Sequence, residues 1–311
     1  MKLIVTGAGG LLGEPVVRLA RSLGHEVVGV VRRPDVSMAR LVDELVVTDL
    51  ASDTAARLDW RRHAGAAVIH LAGETQIHAD RDFVGANLAT TAASCRIARQ
   101  TGGRLVFLSS SAVYSGPVTR YPVRHLQESD ETEPTTAYGR SKKAAEELIR
   151  RELDDAVILR LFSVLSPRLA EVPDRGHLVQ AILRALAMGS PVVLRVDRAG
   201  RPAVRDYLQD GEVAQGILAT LALPRATSAR VFNLCSGVGT GAREMVAFAG
   251  EAAGRKIDVR LEPETGPANA VMVGDTGARR AAFGQVRPSR VREFWQDLLA
   301  ATAPAHLLPK G

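Results

Sequence analysis

The chain is poor in aromatic residues, at 4%, holds two cysteines, and has only five lysines among its 40 basic residues. Two cysteines, Cys95 and Cys235, exclude the disulfide framework of a small secreted domain and read as small buried hydrophobes. No apolar run approaches the roughly 20 residues that cross a bilayer, so no membrane partner is expected. An apolar strand follows directly on Met1-Lys2, which leaves no room for a signal peptide and predicts a cytoplasmic protein. The net charge is +6, but the basic residues are scattered and stacking aromatics are scarce, so no nucleic-acid partner is expected. An anionic small substrate suits the charge better. The seven histidines show no ligand spacing, so no metal is expected, and His70 at a strand end reads as structural.

What is present begins at the N-terminus. Met1-Lys-Leu-Ile-Val-Thr6 is a short β-rich strand that runs into Gly7-Ala-Gly-Gly-Leu-Leu-Gly13 and then a helix-like stretch at 14–23. Gly7, Gly10 and Gly13 follow a G-x-x-G-x-x-G spacing with Gly9 as an extra. A strand, a glycine turn and a helix start make a cradle for a pyrophosphate, because glycine lets the backbone approach and free amides face the anion. A second signal is Tyr138-Gly-Arg-Ser-Lys142, in a stretch that reads as helix over 136–153. Spacing of i, i+4 puts phenol and ammonium on one helix face, where Lys142 is placed to favour ionised Tyr138.

Val/Ile/Leu-rich strands at 26–31, 44–47, 66–71, 104–109 and 156–160 alternate with helices, one of them at 83–101. That pattern predicts an α/β protein: a Rossmann-type doubly wound parallel sheet with a smaller C-terminal α/β substrate lobe. The dinucleotide-binding domain is expected over residues 1–163 and the substrate lobe over 164–311, with 205–236 threading back to the first domain. In the second half, helices are expected at 177–188, to about 223, at 242–253 and at 289–300. Strands are expected at 191–195, 230–234 and 257–260, and 203–207 reads as a loop. The acidic stretches 80–82 and 128–131 read as solvated loop. Ligands on such sheets sit beyond the carboxyl ends of the strands, where residues 7–13, Asp49, Ala72, Gly73, Ser110 and Ser163 fall. Strand two ends in Val31-Arg32-Arg33 with no carboxylate for ribose hydroxyls; the two guanidiniums suit a 2′-phosphate.

With these residues in place the chain resembles the extended short-chain dehydrogenase/reductase family, along nearly its whole length. Thr6-Gly-Ala-Gly-Gly-Leu-Leu-Gly13 resembles the dinucleotide motif, which implies that Gly7, Gly9, Gly10, Leu11, Leu12 and Gly13 line the cofactor. Asp49-Leu50 resembles the pair that contacts adenine, and Val68-Ile-His-Leu71-Ala72-Gly73 the strand-four signature. Asn87-Leu-Ala-Thr-Thr91 resembles the start of a dimer-forming helix, which adds Asn87 to the cofactor set and implies a homodimer. Leu108-Ser-Ser110-Ser111-Ala-Val-Tyr114 resembles the segment carrying the catalytic hydroxyl, which selects Ser110. Arg205-Asp-Tyr207 and Phe232-Asn-Leu-Cys-Ser-Gly237 resemble later landmarks. The chain departs from the family at Ser163, where epimerases usually carry Asn, and in a long stretch at 115–127.

The resemblance implies Tyr138 as general acid/base for a carbinol proton while hydride moves to or from a nicotinamide. Lys142 would hold the nicotinamide ribose, and Ser110 would orient the substrate oxygen. Leu108 joins the cofactor-lining set. Ser111 is a neighbouring substrate contact or a backbone-capping hydroxyl. Arg205 meets a substrate phosphate, or pairs with Asp206 or Asp210. The expected function is an oxidoreductase acting on a carbinol or ketone carbon of a nucleotide sugar, with NADP(H) favoured over NAD(H) and a ketoreductase favoured over the alternative, an NAD-dependent epimerase. A cofactor sensor without chemistry is the other class, against which the Ser110/Tyr138/Lys142 set argues. Dehydration is not expected, since Ser111-Ala112 stand where an acidic pair is needed.

Overall fold

A computed structural model describes residues 1–74, 82–114, 123–171, 177–264, 271–284 and 290–301. The first half alternates strand and helix: β1 (Lys2–Thr6), α1 (Gly13–Ser22), β2 (Glu26–Val31), α2 (Val36–Ala39), β3 (Glu44–Val47), α3 (Asp53–Ala56), β4 (Ala67–His70), α4 (Phe83–Thr101), β5 (Leu105–Ser110), α5 (Ala137–Glu152) and β6 (Ala156–Leu161). The second half is more varied. It contains β7 (Ser163–Leu165), α6 (Leu178–Met188), β8 (Val192–Val196), β9 (Val204–Gln209), α7 (Asp210–Ala219) and β10 (Arg230–Leu234). There follow β11 (Gly239–Gly241), α8 (Ala242–Ala252), β12 (Val259–Pro263), β13 (Val271–Met272), α9 (Gly277–Phe283) and α10 (Val291–Ala301).

The main sheet has seven strands in the order β10-β6-β5-β4-β1-β2-β3, and every pairing in it is parallel. Its strands are apolar on both faces because both are covered. Leu3 and Val5 of β1 join Val16 and Val17 of α1 and Ile217 of α7 on one face. Ile4 points the other way, to a cluster holding Ile97 of α4 and Ile149 of α5. This is a doubly wound Rossmann-type sheet. Its order reverses between β1 and β4, and that switch point is where such sheets open a crevice at their carboxyl ends.

The remaining strands form a four-stranded sheet around β9, with β7 and β13 parallel to it and β11 antiparallel, and a parallel pair β8–β12. Helices α6, α8 and α10 pack there around Trp295, whose indole donates to Met245 Sδ at 3.0 Å. β10 leaves this region to pair with β6 at the edge of the main sheet.

Two expectations are corrected. Residues 203–207 form a strand rather than a loop, because Val204 and Arg205 pair on both sides, with Gly241 and Thr240 of β11 and with Val271 and Met272 of β13. Of the acidic stretch 128–131, Glu128 is not simply solvated: its carboxylate accepts from Asn233 N at 2.7 Å. Asp82 caps α4 by accepting from Gly85 N, while residues 80–81 and the segment 115–122 lie outside the described residues.

Candidate active site

The glycine turn is shaped by close backbone packing. Gly7 adopts φ +72°, and a Cβ there would stand 2.7 Å from Ala72 N, so the turn after β1 lies directly against the turn after β4. A Cβ on Gly13 would meet Gly7 O at 2.2 Å and Ala8 O at 2.3 Å, which no side chain survives. Gly10 N donates to Gly7 O at 2.9 Å and Gly13 N to Gly10 O at 3.2 Å. Among the described residues the amides of Leu11 and Leu12 donate to no protein acceptor. The second wall of this turn is fastened by Leu71 N donating to Thr6 O at 3.1 Å. Asp49 is exposed and turns its carboxylate to Ala51 N at 3.0 Å, with Leu50 buried beside it.

α5 begins where the site needs it. Thr136 caps it by accepting from Gly139 N at 3.0 Å. A Cβ on Gly139 would stand 2.2 Å from Ala112 O, so only glycine lets the helix start press onto the turn after β5. That contact brings Tyr138 toward Ser110, whose hydroxyl favours the ionised phenol. Ser110 Oγ also accepts from Ala112 N at 3.1 Å, so the capping hydroxyl here is Ser110 and not its neighbour Ser111. Phe83 packs edge-on against the Tyr138 ring, centroids 6.3 Å apart.

One turn along, Lys142 Nζ donates to Leu108 O at 2.9 Å and lies 4.8 Å from the Phe107 ring centroid. A Cβ on Gly73 would stand 3.9 Å from Nζ and 3.2 Å from Asn87 Oδ1. Asn87 clasps Glu74, accepting from its N at 2.7 Å and donating to its O at 3.1 Å. Thus Gly73, Asn87, Leu108, Ser110, Tyr138 and Lys142 form one group. Burial pushes Lys142 down to about 8, against the pull of the Glu146 carboxylate. Burial raises Tyr138, and the Ser110 hydrogen bond opposes that rise. The expectation that Lys142 itself eases Tyr138 ionisation is not what the geometry shows. Its ammonium is tied to a carbonyl and lies 5.8 Å from the phenol ring centroid, so desolvation of Tyr138 dominates.

Behind this group lies a buried polar chain. Glu146 accepts from Ser109 Oγ at 2.6 Å and from Arg160 Nη2 at 2.8 Å. Arg160 Nη1 reaches Tyr114 Oη at 2.9 Å, whose own proton goes to Asn233 Oδ1 at 2.8 Å. His70 bridges β1 and α4, within 2.8 Å of Thr6 Oγ1 and 3.0 Å of Ser94 Oγ, and burial pushes it down to about 3.

Ser163 and Arg205 sit on the second sheet. Ser163 of β7 is in register with Tyr207, two residues beyond Arg205. Arg205 Nη1 donates to Val204 O at 3.0 Å, and Asp206 serves the loop after β10 instead, accepting from Ser236 N at 2.7 Å and Gly237 N at 2.8 Å. At the end of β2, Arg32 and Arg33 are exposed, and Arg32 Nη1 lies 3.9 Å from Glu74 Oε2. Sequence reasoning missed Asp35. One of its oxygens accepts from Met38 N at 2.9 Å; the other would stand 3.0 Å from a Cβ on Gly9. Pro34 breaks the strand before it, which hid the carboxylate from a reading that stopped at Arg33. Glu146 also escaped notice, although it stands i+4 from Lys142.

The sheet order, its switch point and a glycine turn that excludes a Cβ at Gly7 and at Gly13 define a Rossmann-fold dinucleotide-binding protein. Residues 3–235 match the NAD dependent epimerase/dehydratase family, and the chain belongs to that family, within the extended short-chain dehydrogenases/reductases. It is 30% identical to a UDP-glucose 4-epimerase of Mus musculus over 301 residues, 84% of each chain, and 28% identical to one of Streptomyces lividans over 95% of each. The fold is shared with a UDP-glucose 4-epimerase of Stenotrophomonas maltophila, solved with NAD and formylated UDP-arabinopyranose, at TM-score 0.81 and 24% identity over 97% of this chain and all of the other.

The residues present fit a dinucleotide: a turn closed to a Cβ at Gly7 and Gly13, amides at Leu11 and Leu12 that have no acceptor among the described residues, and an Asp35 oxygen facing Gly9.

Proposed function

We propose that the protein is an NAD-dependent epimerase that inverts a carbinol carbon of a nucleotide sugar. The observation that carries this reading is that α5 sets Tyr138 and Lys142 against the carboxyl end of β5, where Lys142 Nζ donates to Leu108 O at 2.9 Å and Ser110 follows, with only β4 between that strand and β1 of the glycine turn. The two relatives reported above, from Mus musculus and Streptomyces lividans, are both named UDP-glucose 4-epimerases, which favours epimerisation over the net ketone reduction expected from the sequence.

Gly7, Gly9, Gly10, Leu11, Leu12 and Gly13 would hold the pyrophosphate, Asp49 and Leu50 the adenine, and Leu71, Ala72, Gly73, Asn87 and Leu108 would line the rest. Bound NAD supplies an acceptor for a hydride and later its donor. Tyr138, in its phenolate form, would take the proton of the substrate carbinol as hydride leaves and return it as hydride comes back, so it ends each turnover as it began. Ser110 Oγ donates to the same substrate oxygen and holds it in line with Oη. Lys142, held by Leu108 O, would bind the nicotinamide ribose. Ser111, Ser163 and Arg205 would face the sugar and phosphates.

The preference for NADP(H) read from Arg32 and Arg33 is not supported. The Stenotrophomonas structure holds NAD, Arg32 is drawn toward Glu74, and Asp35 offers a carboxylate oxygen that repels a 2′-phosphate. NAD(H) is therefore the cofactor proposed, and the tilt to a ketoreductase, which rested on Arg32, goes with it. A homodimer through α4 and α5 completes the proposal. Native mass spectrometry of purified protein, followed by NMR of UDP-glucose and UDP-galactose incubated without added cofactor, tests it. Co-purified NAD and interconversion are expected. Consumption of NADPH with each turnover would restore the ketoreductase.

A further inference from the structure

We infer that Arg168 is a positioning residue that holds the peptide planes of the glycine turn and so retains a bound dinucleotide, an inference that rests on reading that turn as the pyrophosphate cradle. Arg168 lies on the short 3-10 turn Pro167–Ala170 that follows β7, far from the glycine turn in sequence. Its Nη1 donates to Gly10 O at 2.7 Å and approaches Leu11 O at 3.4 Å, while Nη2 stands 3.5 Å from Glu14 Oε2.

A trans peptide points its C=O and its N–H in opposite directions. Holding Gly10 O therefore aims the Leu11 N–H away from the guanidinium, and holding Leu11 O does the same for Leu12 N–H. Those are the two amides that donate to no protein acceptor among the described residues. Left unheld, a turn rich in glycine samples other φ/ψ wells, and each ligand bound must order it again.

The arginine itself is firmly seated. Ser166 Oγ donates to Asp210 Oδ2 at 2.5 Å at the start of α7 and accepts from Arg168 N at 3.3 Å. Leu169 is buried, and its carbonyl accepts from the buried Gln180 side chain at 3.1 Å. Glu14 balances the guanidinium charge, which leaves geometry rather than net charge as the contribution of Arg168. Four residues separate it from Ser163, so the second lobe and the cofactor turn share one short stretch of chain. A protein that keeps one dinucleotide through many turnovers needs such a fastening more than one that exchanges it.

The test measures NAD affinity and dissociation rate at fixed ionic strength, with the melting temperature of the nucleotide-free protein, for the parent, Arg168→Ala, Arg168→Lys and Arg18→Ala. Arg168→Ala should raise Kd about tenfold or more, mostly through faster dissociation, with melting within about 2 °C of the parent. Arg168→Lys keeps one donor and should lose only severalfold. Arg18→Ala removes the other cation on Glu14, at 2.7 Å, without touching the turn, and should bind as the parent does. Kd for Arg168→Ala within about twofold of the parent overturns the inference. So does equal loss in Arg18→Ala, which would make it general electrostatics, or a loss that follows a fall in melting temperature. A parent that binds neither dinucleotide overturns the functional reading itself, and this inference with it.

Discussion

Glu146 and Arg160 form a buried, doubly bonded ion pair, with Nη2 2.8 Å and Nε 3.1 Å from the carboxylate, one helical turn beyond Lys142. The pair ties α5 to β6 directly beneath the Ser110–Tyr138–Lys142 group. Removing one partner of such a pair leaves a buried charge uncompensated. Glu146→Gln should therefore cost about 3–5 kcal/mol in denaturant unfolding. Glu146 also favours charged Lys142, so in folded variant protein any kcat/KM limb governed by Lys142 should move to lower pH. Unchanged stability would show that the pair does not anchor the helix.

Tyr138→Phe keeps the ring against Phe83 and removes only the hydroxyl. Turnover should fall about 10²–10⁴-fold, the usual contribution of a general acid/base, with NAD binding near the parent's. Turnover within threefold of the parent would remove Tyr138 from the chemistry.

Asp35 and Arg32 make opposite demands on the adenosine ribose. Asp35→Asn should weaken NAD and bring NADP closer to it, because the repulsion of a 2′-phosphate is gone; charge-assisted bonds of this kind amount to about 1.5–3 kcal/mol, or roughly 10–150-fold. Arg32→Ala should leave NAD affinity within a few-fold. Titration of both dinucleotides at one ionic strength checks this, and a ratio indifferent to Asp35→Asn would contradict it.

His70 is neutral in the fold, its value pushed down to about 3 by burial and then by the charge of Lys142, against about 6.5 unfolded. A depressed value means that the unfolded chain takes up the proton first. Stability from neutral His70 is thus complete above about pH 6.5 and is lost as pH falls toward about 3. Within that window the parent should lose up to about 1.4 kcal/mol per pH unit more than His70→Gln. Parallel acid limbs in the two proteins would place the acid sensitivity elsewhere.

The proposed homodimer predicts sedimentation of a dimer at micromolar concentration. A monomer there would count against the α4–α5 interface.

The main sheet was legible because its strands are buried on both faces and so read as unbroken Val/Ile/Leu runs, β1 and β5 being the clearest. β9 was not, since Arg205, Asp206 and Gln209 give it no apolar alternation; its pairing with β7, β11 and β13 makes it a strand. The Tyr138–Lys142 helix showed itself through i, i+4 spacing, and Glu146 continues that face. Its partner Arg160 lies on another element, and only the fold joins them. Asp35 and Arg168 were hidden for the same reason: each acts on the glycine turn from a loop, and neither spacing nor composition relates them to it.

The central claim is that a hydride leaves one carbon of a nucleotide sugar and returns to that same carbon from the opposite face. UDP-galactose carrying deuterium at C4 should give UDP-glucose with the label still at C4, in ordinary water and without added dinucleotide, as read by mass spectrometry and NMR. Loss of the label to solvent, or product formed only with added NADPH, would contradict the account.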